Sequence, residues 1–118
     1  MSEFSTGLSK SQIERLSLLL EELGEAQQWI GKILRHGYDS YDPTNQRQGD
    51  NKQLLEKELG DVLFAIELLA ATDDLDEELI DDHRIAKARK VWQWLHHQGI
   101  GKKKYTERHP SIMEGVQP

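Results

Sequence analysis

Cysteine is absent from this chain, so neither a disulfide framework nor a thiolate metal site is open to it. A long apolar run is missing too: the longest, Val62 to Ala71, is too short to cross a bilayer, and Glu67 interrupts it. The opening Met-Ser-Glu-Phe-Ser-Thr-Gly has no apolar signal core. Neither a repeat at a period of about 20 to 50 residues nor an alternating strand pattern is visible. Apolar residues make up only 36%, a low share for a self-contained globule. That balance suits slender helices whose apolar faces are completed by another subunit. Cations are also short, 15 Lys and Arg against 21 Asp and Glu, so nucleic-acid polymer is not expected as a partner. The expectation is a cytoplasmic protein with no membrane segment.

At 118 residues the chain has room for one domain. Three helices can be read from it. The first starts near Ser11, where Ser11-Gln-Ile-Glu14 has the form of a capping box, and runs to the basic turn Arg35-His36 before Gly37. Tyr38 to Asn51 is a polar loop, and the second helix runs from Asp50 or Asn51 to about Thr72. Asp73 to Asp76 connects it to a third, which continues to about His97-Gln98-Gly99. The expected architecture is an all-α antiparallel helical bundle completed by oligomerisation. Residues 1–98 form its domain, and 99–118 are a tail, mobile or wrapped on a partner.

Four acids in two matched pairs dominate the chemistry: Glu22-x-x-Glu25 and Glu58-x-x-Asp61. On a helical wheel Glu58 centres a face shared with Leu54, Leu55, Val62, Ala65 and Leu69, with Asp61 roughly 60° away. Glu56 and Glu67 fall on the opposite, solvated side. In the first helix a core stripe is expected through Leu16, Leu20, Leu23 and Ile30. Glu22 and Glu25 lie on a second stripe, Leu18-Glu22-Glu25-Trp29. Acids on apolar stripes are costly to bury unless something neutralises them. An isolated E-x-x-E is usually a solvated face; two pairs on apolar stripes of neighbouring helices point to a shared cation. Carboxylates alone favour Mg²⁺, or Mn²⁺ in its place. Di-iron bundles need Glu-x-x-His, and no histidine here has a Glu three residues before it. Water-rich Mg²⁺ sites commonly serve phosphate chemistry.

The run Leu-Leu-Glu21-Glu22-Leu-Gly-Glu25-Ala, followed by Glu58-Leu-Gly-Asp61-Val-Leu-Phe, resembles the MazG-like all-α nucleoside triphosphate pyrophosphohydrolases over roughly residues 11–97. The resemblance implies hydrolysis of (deoxy)nucleoside triphosphates between the α and β phosphates, giving a monophosphate and pyrophosphate. It further implies that Glu22, Glu25, Glu58 and Asp61 hold Mg²⁺ and form the catalytic centre, with one of them or Glu21 taking a proton from water. A homodimer or a dimer of dimers belongs to the same implication. Two departures stand out. A long interval separates Glu25 from Glu58, and the third helix has no Asn where the family often carries Lys and Asn for substrate.

Substrate contacts are expected from Arg84 and Lys87, which share the stripe Ile80-Arg84-Lys87-Val91-Leu95, and from Trp29 and Lys32, beyond Glu25. The plainer readings are ion pairing for the cations and interface packing for the indole. Two rivals stand beside this function: the same chemistry on a substrate such as phosphoribosyl-ATP, and a non-catalytic interaction module with a structural cation site.

Overall fold

The computed structural model describes residues 5–118, so the expectation about the first four residues lies outside the described residues. Among the described residues the secondary structure is helical and free of strands, with one isolated bridge between Tyr41 and Asp50. The chain divides into two compact units, one ending at Leu75 and the other Asp76–Pro118.

The first unit is a helical hairpin of α1 (Lys10–His36) and α2 (Asn51–Ala71). Both helices begin with the same device. Ser9 Oγ accepts from the Gln12 amide while Gln12 Oε1 accepts from Ser9 N–H; Asp50 and Gln53 repeat the exchange. The α1 cap is therefore Ser9 and not the expected Ser11. Starting there lets Gln12 serve twice, because its Nε2 also reaches Asp74 at 3.4 Å. Arg15 grips the same carboxylate, Nε to Oδ2 at 2.6 Å and Nη2 to Oδ1 at 3.1 Å. This joins the start of α1 to the chain just after α2.

At the other end, the buried Asn51 donates from Nδ2 to Gly37 O at 3.2 Å. The amides of Asn51 and Lys52 donate to Ser40 O and Tyr38 O. With both ends tied crosswise, α1 and α2 are antiparallel. The loop between them folds back on its own base, and a 3-10 turn (Gln46–Gln48) shortens it.

The core between them is thin: Ala26 from α1 with Val62, Ala65 and Leu69 from α2. The α2 face expected around Glu58 is thus the buried one. For α1 the stripe expected as its core is the one left uncovered. Leu16, Leu20, Leu23 and Ile30 are exposed, and the acid-bearing stripe faces α2. A two-helix unit can cover one side of α1 only, and the small Ala26 lets that side approach closely.

In the second unit α3 (Glu77–Lys90) starts acidic and ends basic, as its dipole favours, with Asp76 Oδ1 capping Glu78 N and Leu79 N. It stops short of the expected His97. Trp92 Nε1 donates to Ala88 O at 2.5 Å, occupying the carbonyl that the next α-turn would use, and Val91–Trp94 tightens into a 3-10 turn. The expected tail carries helices α4 (Gly99–Arg108) and α5 (Pro110–Met113). Tyr105 packs against Trp92 and stacks on His109, with ring centroids 6.0 and 4.3 Å apart. Arg89 Nη1 donates to Ile112 O and Glu114 O, holding the chain end over the buried Met113.

Among the described residues no helix is long and apolar enough to cross a membrane.

Candidate metal centre

Glu22 and Glu25 lie one turn apart on the side of α1 that meets α2, and Glu58 and Asp61 lie one turn apart on the answering side of α2. Helix geometry alone makes each pair converge. Glu22, Glu58 and Asp61 each offer an oxygen within 4.8 Å of the others. Glu25 stands outside this trio but against the Glu58 carboxyl, whose closeness is the main reason its own pKa is raised.

Glu58 is the deepest member, 6% exposed. Its Oε2 is buried without a hydrogen-bond partner, and so is Oε2 of Glu22. Buried side-chain oxygens are nearly always paired, and an ionised one left alone is expensive. Two from neighbouring helices, in one cluster, are oxygens that a shared cation could satisfy. The electrostatics agree. Burial first, then the neighbouring Glu58, Glu25 and Asp61, push the Glu22 carboxyl up to about 7. Partial relief comes from Lys57, whose Nζ is 3.0 Å from Asp61 Oδ2 and 3.5 Å from Glu58 Oε1. The Asp61 carboxylate in turn holds the Lys57 ammonium above its usual range. One ammonium against four carboxylates leaves the cluster short of positive charge.

The donors present fit a hard divalent cation. All are carboxylate oxygens, and the trio contains no imidazole. That set suits Mg²⁺ or Mn²⁺ and disfavours zinc and iron.

The other expected residues separate into two groups. Trp29 is half-buried one turn beyond Glu25, with Lys32 Nζ 4.2 Å above its ring centroid, a cation–π pair. Lys32 also helps to hold the Asp42 carboxylate low, after the larger contribution of Thr44, so the interhelix loop reaches this end of α1. Arg84 and Lys87 belong to the second unit. Arg84 there pairs with Asp81 at 2.8 Å on an exposed surface, the plainer of its two readings, and Lys87 is exposed. Lys57 escaped sequence reasoning. The signal available for it was its position four residues before Asp61, a spacing at which helical side chains meet.

A cleft of about 570 Å³ in the second unit is lined by Arg89, Lys90, Trp92, Lys102 and the chain end. Of its three cations two are engaged, Arg89 as above and Lys102 with Gln117 O, and the third, Lys90, is exposed.

No protein-family model, no curated protein and no solved structure matches the chain.

Proposed function

We propose that this protein is a Mg²⁺-dependent nucleoside triphosphate pyrophosphohydrolase of the MazG-like all-α type, acting on (deoxy)nucleotides to release monophosphate and pyrophosphate. The observation that carries this reading is the pair of buried, unpartnered carboxylate oxygens of Glu22 and Glu58, facing one cluster from the E-x-x-E and E-x-x-D helices. Glu22, Glu58 and Asp61 would hold the ion. When bound, it supplies charge neutralisation for phosphate oxygens and a more acidic water.

The chain's own groups have separable tasks. Glu25, beside Glu58 but outside the trio, takes the proton of the attacking water; the neighbouring Glu58 raises its pKa, which makes it a stronger proton acceptor. Trp29 and Lys32 supply an aromatic face and a cation one to two turns further along α1, for the base and phosphates. A second copy of the chain covers the apolar residues that α1 leaves exposed, and the assembly is a homodimer or a dimer of dimers.

The test is pyrophosphate release from a panel of NTPs and dNTPs with Mg²⁺, run beside Glu58→Gln. Release from a subset, falling to near background in the variant, is the expected result, and the subset gives the base and sugar preference. Orthophosphate as the product means that a different bond is cut. Thermal stabilisation by Mg²⁺ with no release and no nucleotide effect points to the structural cation site instead.

A further inference from the structure

Lys57 approaches the acid cluster from the solvent side. Its side chain is 64% exposed, while that of the adjacent Glu58 is nearly closed off, and Asp61 lies between these extremes. Among the described residues it is the one Lys or Arg in ion-pair contact with any of the four acids. A divalent ion held by Glu22, Glu58 and Asp61 would draw on two carboxylates that Lys57 now contacts. Ammonium and divalent ion repel each other and compete for the charge of the same carboxylates, and the ion carries twice the charge. The ammonium sits on a flexible four-carbon stem with room to turn outward, and a triphosphate arriving at the exposed mouth brings the negative charge it needs.

We propose that Lys57 is the resident counter-ion of the metal-free centre, and that on metal entry its ammonium leaves Asp61 and binds the phosphate oxygens of the substrate. This rests on the metal-centre reading above. It makes Lys57 a substrate-positioning residue that also sets a threshold for metal binding before substrate arrives. A mere surface pair spaced i,i+4 would add slightly to helix stability and do nothing else.

The two roles have opposite signs on removal, which makes them testable by calorimetry without turnover. Lys57→Met is titrated with Mn²⁺ alone, then with inorganic triphosphate at saturating Mg²⁺. Lys52→Met is the control, since it removes the same charge from an exposed position of α2 with no ion pair to the cluster. The expected result is Mn²⁺ binding about five-fold tighter in Lys57→Met, the order of one exposed ion pair. Triphosphate binding is expected to weaken about ten-fold, with neither change in Lys52→Met. Lys57→Arg keeps the charge and adds a fork for Asp61, so Mn²⁺ binds it more weakly than wild type. This second variant decides the matter if Lys57→Met loses its helical circular dichroism. Both affinities unchanged, both moving the same way, or an equal effect in Lys52→Met overturns the proposal and leaves the metal centre standing. A wild-type protein that binds no Mn²⁺ overturns the metal centre itself, and this proposal with it.

Discussion

Glu22 and Glu58 are held by the fold in a place where a carboxylate is poorly accommodated. The penalty has a direction in pH. Glu22 binds its proton more tightly folded, up to about 7, than its ordinary value of 4.5, with burial the leading cause. Between those limits the native state carries more protons than the unfolded one, so the metal-free protein loses stability as pH rises from about 4.5 to about 7. Below that window both states are protonated, and above it both are ionised, so the slope from this group vanishes. The expected observation is a Tm in chelator that falls across the window. With Mg²⁺ the trend opposes this, because the ion must displace a proton and binds better as pH increases. A flat Tm in chelator would place Glu22 in ordinary solvent. Glu58→Gln carries the same argument further: removing the deepest charge should raise the metal-free Tm while abolishing its increase with Mg²⁺. A lower Tm in chelator for the variant would mean that Glu58 stabilises the fold by itself.

At the scale of elements, the start of α2 positions the centre, and it depends on a tight local arrangement. Gly49 has φ +99°, and a Cβ there would meet Gln53 Oε1 at 2.6 Å, the group that closes the Asp50 capping box. Asp50→Ala removes the cap and is expected to cost about 1 kcal/mol. Gly49→Ala combines positive-φ strain with displacement of Gln53 and should cost about 1–3 kcal/mol. Chemical denaturation measures both, and a neutral Gly49→Ala would show that the turn relaxes freely. A start of α2 at Asp50 or Asn51 was legible in the sequence, as were the end of α1 at Gly37 and the inward face of α2, whereas the Asp50–Gln53 exchange was not. In α2 the apolar residues gather around Glu58, so the wheel alone separates inward acids from outward ones. In α1 both stripes are apolar, and only the partner helix decides which is covered. The end of α3 depends on one indole reaching Ala88 O, a contact that no periodicity encodes. Lys57 was hidden for a related reason, since a lysine beside an inward acid reads as solvated until Asp61 is seen one turn on.

For the whole molecule, the exposed side of α1 is the feature that the hairpin leaves unexplained. Ile13, Leu16, Leu20, Leu23, Ile30 and Leu34 follow alternating steps of three and four, with Gln27 in the remaining place, and all six are exposed. This is the spacing of a helix seam, extending about 30 Å along the axis at 1.5 Å per residue. On α2, Leu59, Leu63 and Phe64 add exposed apolar surface. Leu20 and Leu34 are 74% and 82% exposed, so the folded chain gains little from their side chains. Leu20→Glu should therefore leave the helical content and the Arg15–Asp74 tie intact while placing a charge in the middle of the seam. If a second copy covers it, wild type sediments as a dimer or tetramer and the variant as a monomer at the same micromolar concentration. The acid cluster is assembled from α1 and α2 of one chain, so the monomeric variant should still bind Mn²⁺. Loss of metal binding together with the partner would show that the second copy holds the hairpin closed. Equal mass for both proteins would remove this seam from the interface.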